Sequence, residues 1–364
     1  MPKSIPTNGQ ANWGTALNSH LGQLNEPTNG GINFAATAPT GLTANDVGYT
    51  YVDTTNKEIR RWNGTNWITL MGGILIGKKT ITADFDLYVS QDGNDTTGDG
   101  TQAKPFKTIQ FAVFYTKMTF DKNGFYVRIK IADSGVPYAG CIITDSNVSI
   151  IGNVNSISAV VIDAGLPIAN FSVNTSDSGV ALGGGTFSPG GNNICNISAT
   201  GKNIAITGVK LVNNNNSNKS VAIALGAHTE IRISKIIFGQ DLGSFASSGW
   251  VSSCIGMGQY SGVTIGDDVT FGRTSDIGIW VNAYSYLHFN PSVTVKFSDN
   301  AGFWMGFIQT VVFAKVADFG AVYSGAVTGP KYQVTGLSNL GGKANLDTIP
   351  SPTAGIIDAK AYAT

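Results

Sequence analysis

Glutamate is almost missing: Glu26, Glu58 and Glu230 are the only three in 364 residues. Charged residues make up 13% of the chain, against the usual quarter or so. Long amphipathic helices are built on Glu, Lys, Ala and Leu, so this scarcity excludes a mainly helical protein. Three cysteines, Cys141, Cys195 and Cys254, are too few for a disulfide framework and too scattered for a zinc site. Cys195 and Cys254 read as small core residues. Histidine is as scarce, and His20, His228 and His288 have no cysteine or carboxylate at ligand spacing, so neither a metal nor a cofactor is expected. Basic and acidic residues balance at 23 each, without a basic cluster, which argues against nucleic acid or an anionic membrane as partner. No apolar run approaches about 18 residues, so no membrane span is expected. Met1 to Thr15 holds one lysine and no apolar core, unlike a secretory leader.

What the chain does have is 46 glycines, many asparagines and short runs of β-formers. In residues 1–72, Leu17, Leu21 and Leu24 are spaced for one face of a short helix. Gly48 to Asp53, Glu58 to Trp62 and Trp67 to Leu70 then alternate around Asn and Gly turns, which predicts antiparallel hairpins. Residues 73–83 read as a hinge. Thr108 to Lys117 reads as a short helix ahead of the first coil, where it would cover an otherwise exposed sheet edge.

From residue 84 an internal repeat decides the fold. Ser220, Gly249, Gly278 and Gly302 each open a short apolar strand followed by two more, with starts 29, 29 and 24 residues apart. The second and third strands are, for example, Glu230-Ile231-Arg232-Ile233 with Ile236-Ile237-Phe238, and Val311-Val312-Phe313 with Val316 to Phe319. A strand of three to five residues buries too little by itself. Stacked on its counterpart one coil away, it closes its hydrogen bonds and sends its apolar side chains into one interior. The fold class predicted for 84–325 is therefore all-β: a parallel β-helix with three strands per coil. Residues 326–364, rich in Gly, Pro and Ala, are expected to cap it or clasp a neighbouring chain.

This alignment places Val221, Ile223, Leu225, Ile279, Val281, Phe303, Met305 and Phe307 inward, and Ala222, Val251, Trp280 and Trp304 outward. Trp250, Tyr260, Tyr284 and Tyr286 lie close to the outward tryptophans. Aromatic rings suit the apolar faces of sugars, and phenols supply hydrogen bonds. They suit equally an interface between protomers. Glycosidic cleavage needs two carboxylates a few ångströms apart. Asp276 and Asp299, 23 residues apart and each in a Ser-Asp turn before a Gly-Φ-Trp strand, form the candidate pair, with Asp241, Asp267 and Asp268 as further candidates. Aspartate also favours turns for its own backbone bonds, and no clear acid/base pair stands out, so the reading leans away from an enzyme. Gly72 to Lys78 approaches a phosphate loop, but Lys79 stands where Ser or Thr belongs. Asp92 to Gly98 loosely follows a calcium loop, but Ala103 stands where the twelfth-position glutamate belongs.

Three groups of residues resemble a known family. Leu87-Tyr88-Val89-Ser90, Asp92-Gly93-Asn94-Asp95, Gly98-Asp99-Gly100 and Pro105 to Gln110 resemble the opening of pectate-lyase-like right-handed β-helix proteins. Asn12-Trp13-Gly14 with Leu17-Asn18, and the hairpins from Asp53 to Trp67, resemble virion-attachment segments of bacteriophage tail fibres and tailspikes. Gly329 to Val334 resembles a closing motif of phage β-helix proteins. The resemblance implies a right-handed homotrimer whose residues 1–72 attach it to tail, baseplate or portal-proximal proteins. It further implies a virion protein, made in the host cytoplasm, that binds and sometimes cleaves host surface polysaccharide. The catalytic arginine and carboxylates of the lyases have no counterpart here. A depolymerase using Asp276 and Asp299, or a purely structural spike, are the alternatives.

Overall fold

A computed structural model describes residues 32–35, 37–46, 50–53, 58–71, 78–164, 166, 181–182, 185–186, 194–212, 220–239, 253–272, 277–298, 301–302 and 306–364. The chain divides into two compact units, Met1–Thr80 with Met118–Asp121, and Ile81–Lys117 with Lys122–Thr364. In the first, Thr50–Asp53, Glu58–Trp62 and Trp67–Met71 form the two antiparallel hairpins expected from their alternation. Ile32–Ala35 adds a parallel edge to them. Tyr51 is fully buried there, edge-on to Trp67 at 4.5 Å, and the two indole N–H groups of Trp62 and Trp67 donate to the carbonyls of Thr43 and Pro39.

The second unit is built from two large sheets whose every strand pair is parallel. One has eight strands, in the order Cys141–Ile143, Ile194–Ala199, Ser220–Leu225, Ser253–Gly256, Ile277–Val281, Gly306–Thr310, Tyr332–Val334 and Ile356–Ile357. The other has fourteen, and some of its members serve two rows: Ile204–Val212 pairs along its first half with Val148–Ile151 and along its second with Val161–Asp163. The chain therefore climbs by one strand spacing per coil, and this is a parallel β-helix. Its interior is a set of columns. Ile197, Ile223, Ile255, Ile279 and Ile308 stack in register in the eight-stranded sheet, and Ile204, Ile231, Val263, Leu287, Val316 and Leu340 in the other, none more than 4% exposed. Each such side chain contributes about 1.5–3 kcal/mol by leaving water.

The Asp/Gly loop at the start of the unit has a structural account. The Asp95 carboxylate accepts the N–H groups of Lys107 and Thr108 at 2.8 and 3.0 Å and the Thr108 hydroxyl at 2.7 Å, and the Asp99 carboxylate accepts from Thr101. Thr108 in turn accepts from the Phe111 N–H, which starts the helix at Ile109–Thr119. The buried Gln110 accepts the N–H of Ile142 at 2.7 Å, so the helix covers the first strand of the eight-stranded sheet.

The register differs from the glycine alignment. Val221 faces Ser253, Ser253 faces Ile277, and Ile277 faces Gly306, offsets of 32, 24 and 29 residues where 29, 29 and 24 were expected. The reason is that inward side-chain parity sets register, Gly278 and Gly302 are strand residues rather than turn markers, and the turns absorb the differences in coil length. Ala222, expected outward, is fully buried, and Val221, expected inward, is only partly buried. Val311-Val312-Phe313, expected to be a strand, is a turn. Lys315–Asp318 is the strand, with Val316 opposite Leu287. Coils expected to stop at residue 325 continue: Tyr332–Val334, Asn339–Gly341, Ile356–Ile357 and Tyr362–Ala363 all add parallel strands.

Candidate functional site

The turns that enter the fourteen-stranded sheet follow one plan in five coils. His228, Tyr260, Tyr284, Phe313 and Leu337 each stand three residues ahead of an inward Ile231, Val263, Leu287, Val316 or Leu340, and each has positive φ: 59°, 56°, 58°, 60° and 30°. Beneath them runs a column of buried hydroxyls. Ser261 donates to the Gly226 carbonyl at 2.7 Å and accepts the Thr229 N–H at 3.2 Å. Ser285 repeats this with the Gly258 carbonyl at 2.8 Å and the Ser261 N–H at 3.0 Å. Ser338 donates to the Val311 carbonyl and accepts the Ala314 N–H. The turns of Tyr260, Tyr284 and Leu337 are thus tied to the coil before them, Ala314 taking the hydroxyl's place in the turn of Phe313, and the residue in the left-handed conformation is held with its side chain outward.

That conformation costs an L-residue about 1–2 kcal/mol, and Gly or Asn is its usual occupant. The coil before His228 obeys this: Gly201, three residues ahead of Ile204 and so at the same place, has a positive φ of 149°. From His228 onward the usual choice is abandoned for rings. His228 and Tyr260 stack at 5.1 Å and 6°, Tyr260 and Tyr284 at 4.9 Å and 4°, Tyr284 and Phe313 at 5.2 Å and 17°. These separations follow the strand spacing of about 4.8 Å. Tyr260 and Tyr284 remain 50% and 51% exposed, and Phe313 and Leu337 nearly as much.

Beside this ladder lies the outer face of the sheet, where Glu230, Gly262, Tyr286 and Lys315 share a row. Tyr286 lies over Gly262; a Cβ there would sit 2.0 Å from its Cζ, so only glycine leaves room for the ring in this position. Burial, and then the charge of Glu230, push the Tyr286 phenol above its ordinary range. His288 packs on Tyr286 at 4.7 Å and edge-on to Phe319 at 5.7 Å. Burial, then Lys315, lower its pKa, which keeps the imidazole neutral near pH 7.

Of the aromatic residues singled out in the sequence, Tyr260, Tyr284 and Tyr286 come together along this edge. Trp280 does not join them. It is half-buried on the eight-stranded sheet, its register neighbours are Gly256 and Gln309, and its indole N–H is buried with no partner among the described residues. Trp250, Trp304, Asp241 and the candidate pair Asp276 and Asp299 lie outside the described residues. Asp267 and Asp268 are exposed where the register of their strand shifts, and Asp267 accepts the N–H of Asp268, a local turn bond. His228, Phe313 and Leu337 were not anticipated. Their signal is nonetheless present, a large residue three positions ahead of each inward column residue, followed in four of the five cases by Ser or Thr. Among the described residues no group of three His, Cys, Asp or Glu side chains is placed to hold a metal ion, and no helix is long and apolar enough to cross a membrane.

No known protein family's sequence profile matches the chain, and no curated protein matches it. Among solved structures, that of rice weevil pectin methyl esterase is similar at 13% identity with a TM-score of 0.35, over 74% of this chain and 88% of that one. What identifies the β-helix here is the parallel register of its own strands.

Proposed function

We propose that this chain is a bacteriophage tail fibre or tailspike that binds a host surface polysaccharide along the ladder His228–Tyr260–Tyr284–Phe313. The observation that carries the reading is the placement of exposed rings at backbone positions where the fold would be served better by Gly or Asn. Strain retained at a surface points to a task other than folding. The sequence resemblance of residues 12–18 and 53–67 to virion-attachment segments supports the rest of the reading. Residues 1–72 dock on the virion, the coils are right-handed with three strands each, as nearly all crossovers between parallel strands are right-handed, and three copies assemble. The protein is made in the host cytoplasm and ends in the virion.

The test is to incubate the full-length protein with polysaccharides purified from candidate host envelopes, then size both partners by chromatography. Polymer that co-elutes intact with trimer-sized protein, and is released by Tyr260→Ala with Tyr284→Ala, is the expected result. Shortened products that vanish in Asp276→Asn with Asp299→Asn would replace the binder by a depolymerase. Protein that retains no polymer from any host would overturn the reading in favour of a structural spike.

A further inference from the structure

Resting on that reading, we infer that the ladder takes a linear, unbranched polysaccharide laid parallel to the helix axis, with successive sugars in step with successive coils. It reads that chain through ring rims and the phenol hydroxyls of Tyr260 and Tyr284, not through ring faces. Sugar sites built on aromatic platforms need a free ring face. In this ladder the rings are within 17° of parallel at 4.9–5.2 Å, so the inner rings turn their faces to one another. What remains outward is a row of rims, which carry the positive edge of the ring quadrupole and suit the oxygens of a glycan. Among the described residues neither phenol hydroxyl has a hydrogen-bond partner, and both tyrosines are half exposed. Each hydroxyl is therefore available to a ligand.

The spacing selects the ligand's shape. The ladder repeats with the strand spacing because the strands that follow its turns pair in register, and because Thr229, Ser261, Ser285 and Ser338 tie four of the five turns to the coil before them. A ligand that engages more than one rung must advance by about 4.8 Å per unit, as strands do across a sheet. An extended sugar chain running along the axis meets that condition, and a branched or compact glycan meets it at one rung only. Beside the ladder, Thr264, His288, Ala317 and Gly341 share one row.

The experiment uses the full-length protein with size-fractionated oligosaccharides prepared by partial acid hydrolysis of the retained polymer, and with linear cello-oligosaccharides of one to six units as a second probe set, followed by calorimetric titration. Affinity for the first set should rise with each added sugar up to about four units and then level off, since four ring rungs are present. Tyr260→Phe and Tyr284→Phe keep the ring stack and remove only the hydroxyls. Each should weaken the longest oligomer roughly threefold to tenfold, the value of one net hydrogen bond, and leave the thermal midpoint in place. Affinity that is the same for one sugar as for six, or phenylalanine variants that bind as well as the native protein while the alanine variants fail, would overturn this inference and leave the polysaccharide reading standing. Binding of neither probe set would overturn both.

Discussion

Two aromatic stacks run through the same coils at the same period. Inside, Phe238 and Phe271 stack at 4.9 Å, Phe297 follows at 6.2 Å, and Phe307 meets Phe271 and Phe297 edge-on at 4.9 and 4.8 Å. None of the four is more than 4% exposed. Outside, His228, Tyr260, Tyr284 and Phe313 repeat at nearly the same interval with half of each tyrosine in water. Stacking is common to both and so explains neither. The inner stack sits on regular strand backbone and is held by burial. The outer stack sits on a left-handed turn and is held against a backbone preference that Gly201 satisfies at the equivalent place one coil before His228.

The comparison can be broken most forcefully from the inside. Phe271→Ala removes a ring from the middle of the inner stack and should cost about 3–5 kcal/mol, read as a shift of the urea midpoint. If Tyr284→Ala shifts it as far, the two stacks are one structural device and the division fails. Next in size is Gly325→Ala. At φ of 85° its Cβ would lie 2.0 Å from the carbonyl oxygen of Phe297, the backbone of an inner rung, so a loss of about 2 kcal/mol or more is expected in the same assay.

Tyr284→Asn sharpens the outer half. It gives up stacking worth about 0.5–1.5 kcal/mol per pair and relieves a left-handed aromatic at about 1–2 kcal/mol. The thermal midpoint should therefore move by only a few degrees either way while polysaccharide retention drops. A large destabilisation would mean that the outer ladder holds the fold together.

The smallest effect concerns a phenol turned inward. Tyr332 is 1% exposed, its hydroxyl donates to Asp347 at 2.6 Å, and burial first, then Asp347, raise its pKa to about 12. A pKa raised on folding favours the folded state below the ordinary value of 10.0, and that contribution is lost as pH rises towards about 12. Stability should decline across that window, and Tyr332→Phe should flatten the decline in melts at successive pH values. An unchanged slope in the variant would remove Tyr332 from the alkaline response.

Much of this was legible in the sequence. The scarcity of Glu and the short strands between Asn and Gly turns dictate stacked β-coils, because such strands close their hydrogen bonds only against copies of themselves. The pairings Ile204–Ile231–Val263–Leu287 and Phe271–Phe297 follow from side-chain alternation alone. Tyr260, Tyr284 and Tyr286 could be singled out from aromatic content near outward positions, although Trp280 could not be separated from them. Its place on another sheet depends on a register that the glycines misreport.

Only the tertiary structure decided which residues share an edge. A ladder is made of residues 24 to 32 positions apart, and the interval changes from coil to coil with the length of the intervening turns. Local sequence determines that His228, Tyr260, Tyr284 and Phe313 each precede a strand. That they stand one above another, faces together and rims outward, follows from the pairing of whole coils and from the buried hydroxyls that tie most of these turns to the last. Strand pairing acts between coils and leaves no mark within any one of them.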